Sequence, residues 1–142
     1  MVEDCHRVGL PIVLEPLFYG LEDPTQRPKI VMETAVRFAA LGPDLLKLPF
    51  PVDPSEPDRD HWQASCRAIS ELVPMPWVLL SGGGSFEVYA EQVEIAVATG
   101  GSGFMVGRAL WGEAALAPAA QRAELLETLV RPRMRRLRAL ID

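Results

Sequence analysis

Four short apolar runs are separated by stretches long enough, and patterned, to be helices. That alternation constrains the chain more than any other feature. IVL, LLKL, WVLL and FMV are apolar at consecutive positions rather than at alternate ones. Strands covered by helices on both faces have this composition. Between the runs, apolar residues recur with helical spacing: Ile30, Ala35, Phe38 and Leu41 before Gly42, then Phe86, Ala90, Val93 and Val97. Strand–helix–strand connections in one sheet are right-handed crossovers, and their strands run parallel.

The expected order is a strand over 10–19, a helix over 25–41 and a strand over 44–50. A proline-rich acidic loop and a helix over about 60–73 follow, with Asp58 or Asp60 as N-cap. Next come a strand over 76–80, a helix over 86–99 and a strand over about 103–106. A C-terminal helix over about 119–141 is expected to bend near Pro132. The first six residues read as the end of a helix preceding the first strand. All 142 residues fit one domain.

Composition narrows the function. A net charge of −5 argues against a general nucleic-acid binder. No run of about 18 apolar residues is present to span a membrane, and the start MVEDCHRVGL is polar, unlike a signal peptide. Two cysteines, Cys5 and Cys66, make no disulfide framework, so a cytoplasmic protein with reduced thiols is expected. The only histidines are His6 and His61, and no Cys/His spacing suits zinc, so no metal site is expected.

In parallel α/β folds, chemistry gathers at the C-terminal strand ends. Each run here ends in something polar or glycine-rich. Glu15 closes the first, Lys47 lies in the second, Ser81, Gly82, Gly83 and Gly84 follow the third, and Gly107 and Arg108 follow the fourth. Lys47 is one of only two lysines, the other being Lys29. An ammonium inside an apolar strand must be paired or lose its proton, and a neutral lysine amine attacks carbonyl groups. The alternative is a strand-end lysine reaching solvent along its stem. Alternation places Val13, Glu15 and Leu17 on one face and Leu45, Lys47 and Pro49 on one face. If both faces point inward, a carboxylate and an amine share one interior. SGGG leads into a helix start suited to phosphate, and Arg108 adds a two-pronged partner for the same anion. The competing readings are a flexible turn for SGGG, a surface ion pair for Arg108 and an arginine partner for Glu15. Trp62, Trp77 and Trp111 read as packing residues, Trp111 least securely because it follows Arg108. The five arginines from Arg131 to Arg138 read as a solvated helix face.

With these residues placed, the chain resembles the class I aldolases of the tagatose-1,6-bisphosphate aldolase type, including the sulfofructose-phosphate aldolases. LPIVLEPLFY, LLKLPFP and MPWVLLSGGGSFEVYAEQVEIAVATGGSGFMVGRALW carry the resemblance, which covers about residues 3–116. It implies the second half of a (β/α)8 (TIM) barrel, that is, an α/β parallel (β/α)4 half-barrel, with no metal or other cofactor. It implies Lys47 as the Schiff-base lysine, Glu15 as acid/base carboxylate, and Ser81, Gly82, Gly107 and Arg108 around the phosphate of a sugar-phosphate substrate, to which the SGGG turn itself adds Gly83. The implied reaction is cleavage of a phosphorylated ketose to dihydroxyacetone phosphate and an aldehyde. The alternative is a non-catalytic half-barrel that binds a phosphorylated ligand or serves as an assembly partner. The first four strands of such a barrel have no counterpart here, SGGG stands where Ser-Ala-Gly is usual, and LKLPFP departs from the commoner acidic version after the lysine. Half a barrel leaves two sheet edges and a bare inner face. A homo-oligomer, a complementing N-terminal half-barrel or the remainder of a longer gene product would supply the rest.

Overall fold

A computed structural model describes all residues, 1–142. Its centre is a four-stranded parallel sheet in the order β1-β2-β3-β4: Val13–Leu14, Leu45–Leu48, Trp77–Leu80 and Phe104–Met105. The expected parallel sheet with intervening helices is what forms. Helix α1 (Val2–Arg7) precedes β1, and α2 (Arg27–Ala39), α3 (Arg59–Leu72) and α4 (Phe86–Ala98) fill the three crossovers. Asp58 caps α3, accepting from the N–H groups of Asp60 and His61. Ser85 caps α4 by accepting from Val88 N–H.

β1 is far shorter than the expected 10–19 strand. Pro11 and Pro16 flank it, and proline has no N–H to offer a ladder. Its position is fixed from outside instead. The Asp44 carboxylate accepts from Ile12 N–H at 2.7 Å and pairs with His6 Nε2 at 3.0 Å. Those contacts, the Ile12 N–H foremost, hold the Asp44 carboxyl below the usual carboxylate range. The chain entering β1 is thereby pinned to the start of β2.

Alternation along β2 sorts its side chains. Leu46 and Leu48 are fully buried beneath the helices, while Leu45 and Lys47 face the other way and are only half-buried. The helix-side core joins them to Val31, Ala35, Trp62, Ile69, Tyr89 and Val93. Trp62 and Trp77 are packing residues, as expected. Across the sheet, Val13 pairs with Leu45, Lys47 with Val78, and Leu80 with Met105. The face carrying Lys47 is therefore continuous across all four strands. Gly101 lets the chain turn tightly against the end of α4 on its way into β4, because a Cβ there would sit 2.8 Å from the Ala96 carbonyl oxygen.

Beyond β4 an unexpected helix precedes the expected tail helix, which runs from Ala119 to Arg138 with a widened turn just before Pro132. Helix α5 (Arg108–Leu116) starts directly after the strand. α6 (Ala119–Leu125), a π-helical turn (Leu126–Val130) and α7 (Arg131–Arg138) follow. The wide turn ends just before Pro132, which cannot donate to a carbonyl one turn back. Nor are the arginines of α7 simply a solvated face. Leu137 is fully buried, Arg136 pairs with Glu87, and Arg133 makes a two-pronged ion pair with Glu113 while lying over the Phe86 ring.

Arg133 hydrogen bonding holds the Glu113 carboxyl down at about 2, against an ordinary value of 4.5. A carboxyl depressed in the folded state stabilises above its unfolded pKa, and the benefit fades as pH falls toward the folded one. Glu113 is half exposed, so the pair is worth about 1 kcal/mol at most. Glu113→Gln should lower Tm by about 2–4 °C at pH 7. That gap should close between pH 4.5 and 2, as read by thermal melts across pH.

Candidate active site

The register of β1 and β2 places the site. Val13 lies opposite Leu45 and Leu14 opposite Leu46, so the next step brings Glu15 opposite Lys47. Lys47 Nζ donates to Glu15 Oε2 at 2.9 Å. The two side chains are 23% and 37% exposed, open to the sheet's concave side but not to bulk water all round. Of the two ways an ammonium can sit in an apolar strand, the structure shows pairing.

A cavity of about 650 Å³ opens over this pair at the C-terminal strand ends. Glu15, Lys47, Ser81, Gly82, Gly107 and Arg108 all line it. Six of the seven residues singled out in the sequence thus surround one space. Gly83, the seventh, does not line it but lies against the Arg108 guanidinium: a Cβ there would come within 3.3 Å of Nη2, and its φ of +83° is one that side chains resist. The turn after β3 is tied to the end of β4, since Gly107 N–H donates to Ser81 Oγ at 3.4 Å. Tyr89 Oη–H donates to the Leu79 carbonyl at 2.9 Å, anchoring β3 just below the turn; burial pushes that phenol up. Arg108 has no ion-pair partner within the chain, so the surface-pair alternative for it does not hold.

Three further lining groups escaped the sequence reading. Trp111 is 42% exposed and stands one helical turn past Arg108 along the cavity wall, rather than in the core. Phe18 and Arg27 lie on the opposite side. The Arg27 guanidinium stacks 5.4 Å from the Phe18 ring and its Nε donates to the Phe50 carbonyl at 2.9 Å. Residue pattern marks Arg27 only as a polar residue near a helix start and before a proline, which carries no signal for a cavity. His61, by contrast, faces Glu56 at 3.5 Å and is not among the lining residues.

Chemically, the arrangement offers an amine and a carboxylate in hydrogen-bond contact. Beside them is a glycine turn, with the unpaired Arg108 guanidinium lying against it. No group of three or more His, Cys, Asp or Glu side chains is placed to hold a metal ion, and no helix is long and apolar enough to cross a membrane.

Comparison with known proteins agrees with this fold. Solved structures share the fold: an archaeal fructose 1,6-bisphosphate aldolase superposes with a TM-score of 0.69 at 22% identity, covering 98% of this chain and 48% of that one. A Schiff base forming fructose-1,6-bisphosphate aldolase gives 0.69 at 23% identity, covering 99% and 48%. The fructose-bisphosphate aldolase from Slackia heliotrinireducens DSM 20476 gives 0.64 at 21%, covering 97% and 46%. The chain spans about half the length of these proteins. The family pattern of the DeoC/LacD family aldolases matches residues 1–113, which include every strand and every site residue above. The chain belongs to the DeoC/LacD family of aldolases.

Proposed function

We propose that this chain carries the Schiff-base half of a class I aldolase acting on a phosphorylated ketose. The observation that carries the reading is the 2.9 Å contact between Lys47 Nζ and Glu15 Oε2 inside the 650 Å³ cavity. Nζ must shed a proton before it can attack, and Glu15 is a base already in contact with it. The amine adds to the ketose carbonyl, and the carbinolamine loses water to give an iminium. The carbon–carbon bond then breaks, with its electrons flowing to the iminium nitrogen, so an aldehyde leaves and an enamine remains. Protonation and hydrolysis return free Lys47 and dihydroxyacetone phosphate. Glu15, directly or through a water, moves the protons of these steps.

The substrate phosphate is assigned to Ser81, Gly82, Gly83, Gly107 and Arg108, with Gly83 acting by letting Arg108 lie flat against the turn. Charge-assisted hydrogen bonds contribute roughly 1.5–3 kcal/mol each. Arg108→Gln should therefore raise KM by about 10- to 100-fold with kcat largely kept, as steady-state kinetics would show. Within the family, the stretches LPIVLEPLFY and MPWVLLSGGGSFEVYAEQVEIAVATGGSGFMVGRALW support the tagatose-1,6-bisphosphate type as the finer placement. The direct test is retro-aldol cleavage of phosphorylated ketoses, read by coupled detection of dihydroxyacetone phosphate. Saturable turnover is expected; saturable binding with no turnover in an assembled sample would contradict it.

Half-length coverage of the solved relatives favours a second reading, a non-catalytic half-barrel that binds a phosphorylated ligand. It predicts Arg108-dependent binding with no covalent adduct on Lys47.

Either reading needs the sheet completed. β1 and β4 are both edges, and Val13 and Met105 on the inner face are 43% and 39% exposed. Exposed edges and apolar surface drive association. We assign that role to a second copy, to a separate chain supplying the other half-barrel, or to further residues of a longer gene product. Light scattering on the purified chain should show more than one chain per particle; a stable monodisperse monomer would count against completion by a second copy.

A further inference from the structure

The large apolar side chains left exposed are not scattered. Of fifteen, eight fall within residues 1–41 and six within residues 105–142, with only Leu72 between. Those segments hold β1 and β4, the two strands with an unpaired edge. Charge divides the same way. Besides Glu15 in the site, residues 1–26 carry Glu3, Asp4, Glu22 and Asp23 against Arg7 alone. Residues 118–142 carry six arginines against three carboxylates. One end of the sheet is therefore acidic and the other basic, in a chain whose net charge is −5.

The two ends also match in shape. A groove of about 330 Å³ runs beside β1, walled by Met1, Val2 and Glu3 around the start of α1, Leu14 of β1, and Phe38 and Leu41 around the end of α2. It is apolar except for Glu3, which is in no ion pair within the chain. The tail carries the counterpart. α7 spends one face on its own chain, through Arg133 to Glu113 of α5, Arg136 to Glu87 of α4, and the buried Leu137. Helical spacing puts Met134, Arg135 and Arg138 on the other face, with Ile141 just beyond the helix. Met134 and Ile141 are 40% and 46% exposed, and Arg135 is exposed and in no ion pair within the chain. Ile141 stands at the start of β4, 3.9 Å from where a Cβ on Gly103 would sit.

The geometry points to a second copy of this chain as what completes the sheet: β4 of each copy lies beside β1 of the other, and the free face of each α7 beds into the other's groove with Arg135 toward Glu3. Only β4 against β1 continues the parallel order β1-β2-β3-β4. Two like edges joined by a two-fold axis would run antiparallel and leave the remaining edges bare. Two seams related by one two-fold axis give eight strands, the number that closes a barrel filled by its own side chains. All strands end on one rim, so Met105 and Trp111 of one copy come beside Val13 and Leu17 of the other and close the open side of each cavity. This names the partner of the Lys47 site and, for its function, rests on the aldolase reading. The site is complete only in the pair, and each barrel holds two of them.

The test is sedimentation equilibrium of the 142-residue chain and its charge-swapped variants, with circular dichroism to confirm folding. Two 15.6 kDa chains per particle are expected. Glu3→Arg and Arg135→Glu should each weaken the pair about tenfold, because each change acts at both seams. A chain carrying both changes should regain most of that affinity, because each seam again joins opposite charges. Should either variant fail to fold, Ile141→Asp should weaken the pair in its place. A monomer, a particle of any other number of chains, a requirement for a different chain, or a double variant weaker than both single ones would overturn the seam. Borohydride trapping with dihydroxyacetone phosphate, repeated on dilution, separates this from the chemistry. The Lys47 adduct should fall away as the pair dissociates. A pair that forms no adduct keeps the seam and rejects the aldolase reading, whereas an adduct formed equally well by monomers keeps the aldolase reading and overturns the shared site.

Discussion

Lys47→Ala should abolish turnover, with kcat falling by at least about 10⁴-fold, in line with removal of a covalent nucleophile. The loss should be chemical rather than structural. Lys47 and Glu15 are partly exposed, so breaking their pair costs about 1 kcal/mol or less of stability. The strand's hold on the core comes from Leu46 and Leu48 on the opposite face. Melting curves of mutant and parent should therefore nearly coincide. Lys47→Arg sharpens the point, since it keeps the positive charge beside Glu15 but offers a guanidinium, which does not form an iminium at neutral pH. If Lys47→Arg retained substantial turnover, the ion pair alone would be doing the chemistry and the covalent route would be wrong.

Glu15→Gln is expected to lower kcat by about 10²- to 10⁴-fold, the usual range for a general acid–base group. The substitution preserves shape and a hydrogen-bond acceptor for Nζ but removes the base. Lys47 should still be trapped by borohydride in this variant, only more slowly, because the nucleophile remains. Kinetics and trapping thus separate the two roles: Lys47→Ala loses both signals, whereas Glu15→Gln loses rate and keeps the adduct. Equal loss of adduct in both variants would mean that Glu15 acts by orienting the amine and not by proton transfer.

How much of this was readable beforehand follows from what a sequence pattern encodes. Period-two alternation on parallel strands is a strong rule, so Glu15 and Lys47 could be assigned to one face, and the register brings them opposite one another. Glycines and an arginine at successive strand ends were legible because topology sends all such ends to one rim. The length of β1 was not. LPIVLEPLFY looks like a ten-residue strand by hydropathy, but its two prolines and its edge position leave a two-residue ladder. Helix α5 was missed because GRALWGEAAL opens on glycine, inside a segment whose glycines read as loop. Arg27 went unnoticed for a different reason. Helical periodicity says that a position faces inward, but not whether it meets packed side chains or an open cavity.

The most direct check is borohydride reduction in the presence of dihydroxyacetone phosphate, followed by trypsin and mass spectrometry. Trypsin cuts after Arg37, Lys47 and Arg59. A reduced adduct on Lys47 blocks the middle cut, so residues 38–59 should emerge as one modified peptide. An adduct found on Lys29 instead, or unmodified peptides 38–47 and 48–59 from an assembled sample, would contradict the assignment of Lys47 as the Schiff-base residue.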